Sequence, residues 1–353
     1  MLDDLEHINK IDKSGMIDTI TQFPDQIQET INFMKEIDIG ITQEINNIVF
    51  CGMGGSAISG DILQKLFRDK LEIPIFVNRG YNLPKWVNEK SLVIAQSYSG
   101  NTEETLSSFK DATRKNCSIF GISSGGILEK ECINNNISHI KIPTGYAPRA
   151  ATAYLLFSSL LILKKLKILE PSIELDIEET LEITKEIKNL MSKTVSINNN
   201  LAKQLAQTIF QSVPQVYGCN IYEPIARRWC TQFNENSKVI ARYDFVSECN
   251  HNDIVGWSMD PMVSKNFSCI LFRDNDLDSP NIKKRLDFMK ELYRDVAENL
   301  IEVYPRGKSS LAKMMYTMYL GDFISCYLAI LRGIDPTPVD IITKLKEELS
   351  QIA

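Results

Sequence analysis

Small hydroxyl side chains cluster directly after one of the apolar runs of this 353-residue chain. Ser97, Ser99 and Thr102 follow the apolar residues 92–95, with Gly100 among them. Open α/β sheets bind ligands at the carboxyl ends of their strands, where a glycine turn exposes backbone amides. Hydroxyls and amides without a nearby lysine are neutral donors that suit one phosphate dianion. The alternative is a simple turn followed by a helix that Thr102 caps.

A glycine-rich loop after another apolar run offers the same kind of donor. It contains Gly54, Gly55 and Ser56 and leads into a helical pattern, so that backbone N–H groups can approach an anion at a helix start. The spacing also matches a dinucleotide fingerprint, but the next strand ends in Asn78 and Arg79 and lacks the acidic residue that would hold a ribose. Two donor loops at neighbouring strand ends therefore predict one monophosphate site.

Composition and charge narrow the class of ligand. Lys and Arg number 39 against 45 Asp and Glu, which leaves a net charge of −6, and no basic stripe is present. This balance disfavours a nucleic-acid partner and predicts a small-molecule ligand.

The cysteines and the N-terminus bear on the compartment. Eight cysteines occur without a C-x-x-C pair, which indicates reduced thiols, and the first residues are polar and acidic, unlike a signal peptide. The apolar stretch 150–163 is shorter than the roughly 20 residues that a spanning helix needs. We therefore expect a cytoplasmic protein with no membrane partner.

Short apolar runs alternate with helical patterns, which is typical of parallel sheets covered on both faces. The first round predicts five strands, near 48–50, 73–77, 92–95, 118–122 and 139–142, and a weaker second round predicts four, near 213–217, 239–245, 267–272 and 300–303. The predicted fold class is α/β, with two doubly wound lobes around central parallel sheets and a helical C-terminal segment.

Longer helical patterns divide the chain. They lie at 148–166, 175–193, 311–332 and 339–349. We predict an N-terminal domain over 1–165 with a leading helical segment, a connecting helix within 166–195 and a C-terminal domain over 196–353. Thr337 is predicted to cap the last helix, with Pro338 in its first turn.

Six motifs taken together resemble one known family. They are CGMGGSAISGD at 51–61, SYSGNTEETL at 97–106, APRAA at 147–151, FNENSK at 233–238, ECNHNDIVGW at 248–257 and LRGIDPTPVD at 331–340. In these motifs the chain resembles the bifunctional phosphoglucose/phosphomannose isomerases, which are built from sugar isomerase (SIS) domains. The resemblance implies two flavodoxin-like lobes, a homodimer, and interconversion of glucose 6-phosphate or mannose 6-phosphate with fructose 6-phosphate through a cis-enediol.

The resemblance also implies roles for single residues. Glu235 would be the base that moves a proton between C1 and C2 of the sugar. Arg149 would meet the negative charge of the enediolate. His251, supplied by the partner subunit, would open the sugar ring. The ordinary alternatives are an exposed glutamate, a surface salt bridge and a surface histidine near a helix start.

The resemblance also implies a role for a lysine near the C-terminus. In the family a lysine assists ring opening, and either Lys344 or Lys346 matches that residue, Lys344 by its spacing from Thr337. Thr337 itself would leave room for the mannose epimer. No metal-ligand spacing is found, and enediol chemistry through a carboxylate requires neither a metal nor a cofactor. An isomerase of glucose 6-phosphate alone or of another phosphosugar, and a non-catalytic sugar-phosphate sensor, remain the alternative functions.

Overall fold

The computed structural model describes residues 1–40, 43–259 and 261–349, which form two parallel β-sheets flanked by helices. The first sheet contains β1 (Asn47–Cys51), β2 (Ile75–Asn78), β3 (Ser91–Gln96), β4 (Ser118–Ser123) and β5 (Ser138–Lys141), in the order β2-β1-β3-β4-β5. The second contains β6 (Val213–Cys219), β7 (Arg242–Val246), β8 (Phe267–Phe272) and β9 (Asn299–Val303), in the order β7-β6-β8-β9. The first order is that of flavodoxin. The predicted fold class is confirmed.

The helices precede, separate and follow these strands. The N-terminal segment and the first lobe contain α1 (Leu5–Ile11), α2 (Met16–Thr21), α3 (Phe23–Glu36), α4 (Ile58–Phe67), α5 (Glu103–Arg114), α6 (Gly126–Asn134) and α7 (Thr152–Lys165). The remainder contains α8 (Ile173–Met191), α9 (Leu201–Thr208), α10 (Glu223–Glu235), α11 (Asp253–Met259), α12 (Pro261–Ser264), α13 (Pro280–Val296), α14 (Ser310–Leu331) and α15 (Asp340–Leu349). α8 lies within the predicted connecting segment. The domain bounds themselves stay a prediction, and residues 350–353 lie outside the described residues.

Alternate residues of the strands face two separate cores. In β1, Val49 and Cys51 belong to the apolar cluster that includes residues of α5 and α6, whereas Ile48 and Phe50 belong to the cluster that includes residues of α4 and α7. This second cluster continues through α10 and α14 to the second sheet. A single shared core therefore fixes the position of one sheet relative to the other.

The long helix α14 is buried along nearly its whole length. By length and composition it is apolar enough to cross a membrane, but residues 311–330 are all buried inside the protein. A helix that is apolar all round belongs either in a membrane or in a core. Here it lies in the core. The stretch 150–163 likewise belongs mainly to the buried helix α7, as predicted.

Two helix starts differ from the prediction. A 3₁₀ turn, Pro148–Ala150, precedes α7, so the predicted helix over 148–166 becomes regular only at Thr152. The predicted cap by Thr337 is wrong, because α15 begins at Asp340 and the Thr337 amide donates to Asp335 Oδ1 at 3.0 Å. The segment before α15 turns inward, where its carbonyl groups accept hydrogen bonds from a buried arginine described below.

Gly100 is expected to tolerate no side chain. Its φ is +69°, and a Cβ there would lie 1.8 Å from the carbonyl oxygen of Gly125. Gly100→Ala should lower the free energy of unfolding by about 2–4 kcal/mol, since the backbone must move to relieve the overlap. Gly80→Ala is the matched control, because a Cβ at Gly80 meets nothing within 4 Å. Urea denaturation of both variants measures the difference, and equal stabilities would contradict this account of the loop.

Candidate active site

The glycine loop after β1 lies against the segment that carries Arg149. Gly54, with φ +51°, begins a 3₁₀ turn that leads into α4. A Cβ at Gly55 would lie 3.2 Å from the Arg149 Cα and 3.2 Å from the Pro148 carbonyl oxygen. The lack of a side chain at Gly55 therefore lets the two loops approach each other closely.

The hydroxyl loop after β3 meets the glycine loop. The Tyr98 amide donates to Ser56 Oγ at 3.3 Å, which joins the loops directly. Ser97 Oγ lies 2.8 Å from Thr102 Oγ1, and the Thr102 amide donates to Ser97 Oγ at 3.4 Å. Ser99 is exposed, and its Oγ accepts from the Asn101 amide at 3.3 Å. Thr102 precedes α5, but its side chain forms no capping bond. The contacts of Ser56, Ser97 and Thr102 place these hydroxyls in one cluster of neutral groups.

A cleft runs from the glycine loop to the last turn of α10. Its walls include Gly54 and Gly55 at one side and Arg149 and Glu235 at another. The remaining lining residues are Ile58, Asp61, Arg79, Arg227, Arg228, Thr231 and Gln232. Glu235 ends α10, and its side chain is 29% exposed, so its carboxylate can be reached from the cleft. The arrangement places a carboxylate, a buried cation and backbone donors around one space.

Arg149 is held tightly in the wall of the cleft. Its side chain is 3% exposed, with Nε donating to Asn236 Oδ1 at 2.6 Å and Nη2 donating to the carbonyl oxygens of Pro336 and Thr337, both at 2.8 Å. Nη1 lies 3.6 Å from Glu235 Oε2. Burial lowers the pKa of Arg149, and the Glu235 carboxylate opposes that shift. The guanidinium remains charged, since its normal pKa lies so far above neutrality.

The sequence reasoning assigned no role to the residues around Glu235. Asn236 is fully buried, and its Nδ2 donates to Ser325 Oγ at 2.9 Å, which orients the amide oxygen toward Arg149. Lys238 Nζ donates to the carbonyl oxygens of Asp335 at 2.9 Å and Pro336 at 2.8 Å. Burial, and then the charge of Arg149, lowers the pKa of Lys238. The FNENSK motif contained both residues, but their contacts depend on the segment 335–337, a hundred residues further along the chain.

A buried ion pair behind Arg149 was also missed. Arg228 donates through Nη2 to Asp322 Oδ2 at 2.9 Å and to the Arg149 carbonyl oxygen at 2.7 Å. Gln232 Nε2 donates to Asp322 Oδ1 at 2.8 Å. Arg228 and Gln232 are one turn apart on α10, but Asp322 lies on α14, so no local sequence signal joins them. Together they hold the backbone of Arg149 in place.

The structure does not bring every predicted residue to the cleft. His251 is exposed and does not line it, and Lys344 and Lys346 are exposed on α15. The predicted hydroxyl residues, Ser56, Ser97, Ser99, Thr102 and Thr337, are likewise not among the residues that line the cleft. Lys344 Nζ lies 4.0 Å from Glu348 Oε1. Thr337 lies beside the Arg149 guanidinium through its carbonyl group. Its hydroxyl oxygen is buried and has no hydrogen-bond partner among the described residues.

Comparison with known proteins places these features in a family. The model of the bacterial phospho-glucose isomerase C-terminal SIS domain matches residues 198–349. The bifunctional phosphoglucose/phosphomannose isomerase of Caldicellulosiruptor bescii is 39% identical over 96% of this chain and 99% of its own length. The enzyme of the same name from Thermoplasma volcanium is 34% identical over 92% of this chain and 97% of its own length.

Solved structures share the fold. The C-terminal domain of glucosamine-fructose-6-phosphate aminotransferase from Francisella tularensis superimposes with a TM-score of 0.69, over 92% of this chain and 98% of that domain. The two sequences are 18% identical, so this likeness concerns the fold alone.

Loss of the Asp322 carboxylate should destabilise the protein strongly. Asp322→Ala would leave Arg228 buried without a counter-charge, which typically costs about 3–5 kcal/mol. Asp287→Ala is the control, because Asp287 is 50% exposed and its partner Arg273 also pairs with Glu302. The control should lose less than about 1 kcal/mol. Equilibrium unfolding in urea compares the two, and a loss at Asp322 no larger than at Asp287 would contradict the interpretation.

Proposed function

The chain belongs to the family of bifunctional phosphoglucose/phosphomannose isomerases, and we propose on that premise that it interconverts glucose 6-phosphate and mannose 6-phosphate with fructose 6-phosphate. The observation that carries the proposal is a single cleft lined by Gly54, Gly55, Arg149 and Glu235. An aldose-ketose isomerase needs a phosphate anchor, a base and a fixed cation, and the backbone N–H groups, the carboxylate and the guanidinium of this cleft support an assignment of these three roles.

We propose that the two donor loops hold the phosphate of the sugar. Backbone N–H groups of Gly54 and Gly55 and the hydroxyl of Ser56 would contribute from the first loop, and the hydroxyls of Ser97, Ser99 and Thr102 from the second. The contacts Ser97–Thr102 and Ser56–Tyr98 support this role because they place both sets of donors side by side. Neutral donors can bind a dianion without a paired cation where helix N-termini supply a favourable field.

Glu235 is the proposed base of the isomerisation. It would remove the proton from C2 of the aldose and return it to C1 through a cis-enediol. Arg149 would stabilise the negative charge that forms on the two oxygens. Its Nε and Nη2 atoms donate to Asn236, Pro336 and Thr337, whereas Nη1 faces the Glu235 carboxylate. Nη1 is therefore the nitrogen best placed for the substrate.

Ring opening and epimer choice are assigned to the remaining candidates. His251 would exchange protons with the ring oxygen and the C1 hydroxyl, assisted by Lys344 or Lys346. Single alanine variants of the two lysines, assayed for ring opening separately from isomerisation, distinguish them. Thr337 would accommodate both configurations at C2, and its buried hydroxyl without a partner leaves it available to a substrate hydroxyl.

We propose that the protein acts as a homodimer in which His251 reaches the cleft of the partner subunit. The cleft of one chain is lined by no histidine among the described residues, and His139 is bonded to Ser123 Oγ at 2.8 Å. On α15, Ile341 and Leu345 are 77% and 56% exposed, so this helix presents apolar surface that a second copy would cover. No other partner besides the small-molecule sugar phosphate is proposed.

A reducing, cytoplasmic setting is proposed on the state of the cysteines. All eight are free thiols, and seven of them are buried. Burial raises the pKa of Cys51 to about 12, which keeps that thiol protonated and unreactive at neutral pH. Free thiols in such number are typical of a reducing compartment.

Replacement of Glu235 is expected to remove turnover and spare binding. Glu235→Gln should lower kcat by several orders of magnitude, on the order of 10³-fold or more, while calorimetry gives a similar Kd for fructose 6-phosphate. The wild type should convert both glucose 6-phosphate and mannose 6-phosphate in a coupled assay containing a chelator. Glu36→Gln, at the end of α3, is the matched control and should keep full activity.

Each alternative function has its own outcome in that assay. Binding without turnover by the wild type would indicate a sensor, and turnover of glucose 6-phosphate alone would indicate a restricted isomerase. Loss of activity with the chelator would refute metal independence, and full activity of Glu235→Gln would refute the base.

Mixing two inactive variants tests the shared site. Glu235→Gln and His251→Ala chains, mixed after dissociation and allowed to reassociate, should recover about a quarter of the wild-type activity, since random pairing of a symmetric dimer makes half the dimers mixed, each with one complete site. If His251 acts in its own subunit, the mixture should stay inactive. Light scattering of the wild type checks that a dimer forms.

A further inference from the structure

We propose that Gln232 recognises the substrate: its side-chain carbonyl accepts a hydrogen bond from the hydroxyl on C3 or C4 of the sugar. The proposal rests on the proposed isomerase function and adds a specificity contact that lies away from the reacting carbons. It is drawn from the orientation of one buried amide in the wall of the cleft.

The orientation of the Gln232 amide is determined by its neighbours. Nε2 donates to Asp322 Oδ1 at 2.8 Å, and the same carboxylate accepts from Arg228 Nε at 3.2 Å and Nη2 at 2.9 Å. A carboxylate accepts hydrogen bonds and donates none. Rotation of the amide by a half turn would place oxygen against oxygen, so Oε1 must face away from Asp322.

The Gln232 carbonyl lacks a donor. Oε1 is buried, and no group of the described residues donates to it. Gln232 is 2% exposed, and it lines the cleft. A buried acceptor without a partner costs about 1–3 kcal/mol. A ligand that brings a hydroxyl donor into the cleft would remove this cost, which favours the hydroxylated ligand over an analogue that lacks the group.

The position of Gln232 on α10 indicates which hydroxyl it meets. Gln232 precedes Glu235 by three residues, so the two side chains share one face of the helix, separated by about 4.5 Å along its axis. Glu235 is assigned to C1 and C2 of the sugar. A group about one turn away therefore lies beside the next carbons, C3 and C4.

A second buried glutamine, Gln26, serves as the control that distinguishes substrate recognition from a structural role. Gln26 on α3 is 1% exposed, its Nε2 donates to the Ala150 carbonyl oxygen at 3.1 Å, and its Oε1 also lacks a donor among the described residues. Gln26 does not line the cleft. The two glutamines match in burial and bonding and differ in access to the ligand.

The test is a cycle of two substitutions, one in the protein and one in the substrate. Wild type and Gln232→Met are assayed with glucose 6-phosphate and with its 3-deoxy and 4-deoxy analogues. For the wild type, kcat/KM should fall about 10- to 100-fold with one of the two analogues. Gln232→Met should lose a similar factor with glucose 6-phosphate and lose no more with that analogue.

Three results would overturn the proposal. The first is equal kcat/KM of the wild type with both deoxy analogues and with glucose 6-phosphate, a result that needs no variant at all. The second is wild-type discrimination retained by Gln232→Met, and the third is loss of that discrimination in Gln26→Met as well. Gln232→Leu replaces Gln232→Met if the latter does not fold. Absence of any isomerase activity in the wild type would instead refute the proposed function, which keeps the two failures distinct.

Discussion

The burial of one guanidinium group governs the geometry of this protein. Arg149 lies in the 3₁₀ turn before α7 in the first lobe, yet the hydrogen bonds from its side chain go to groups of the second half of the chain, namely Asn236, Pro336 and Thr337. A buried cation is costly unless hydrogen bonds and an opposite charge compensate for the lost water. Because those partners come from the C-terminal end of α10 and from the turn before α15, satisfying Arg149 forces three distant segments together. The cleft forms where they meet.

The two lobes use equivalent positions for different purposes. In the second lobe, Asn220 follows β6 with φ +52°, much as Gly54 follows β1 with φ +51°. The loop after β8 contains Asp274, whose carboxylate accepts from Lys313 Nζ at 2.8 Å and from Tyr222 OH at 2.6 Å. Burial opposes ionisation of Asp274, but the hydrogen bonds from Lys313, Tyr222 and two backbone amides together lower its pKa. An internal carboxylate thus occupies the kind of place that neutral donors line in the first lobe.

Two buried polar side chains beside the site have unsatisfied hydrogen-bonding atoms. Gln232 Oε1 and Thr337 Oγ1 both lack a hydrogen-bond partner among the described residues, and both lie next to the groups that hold Arg149 and Asp322. Unsatisfied buried groups cost stability, and because Gln26 Oε1 is another such group that lies away from the cleft, only their position beside the site connects Gln232 and Thr337 with function. Around them, the bonds from Lys238 and Arg149 to the carbonyl groups of residues 335–337 hold the backbone of that segment against α10.

The local sequence was sufficient to predict the strands and the two donor loops. Short apolar runs located the nine strands of the described residues, since burial on both faces of a parallel sheet requires apolar side chains. Glycines and hydroxyl residues marked the two donor loops, because the conformation of a turn depends on a few neighbouring residues. The roles of Glu235 and Arg149 entered through motifs that resemble a family. The contacts of Arg228, Gln232 and Lys238 could not be predicted from the local sequence. Their partners, Asp322 and Asp335–Pro336, lie about ninety residues or more away along the chain. The prediction that Thr337 caps a helix was wrong for the same reason. Local propensity favours the cap, whereas in the folded chain the Thr337 carbonyl group accepts a hydrogen bond from Arg149 of the other lobe. Long-range satisfaction of buried charge is a property of the folded chain, and only the tertiary structure decides it.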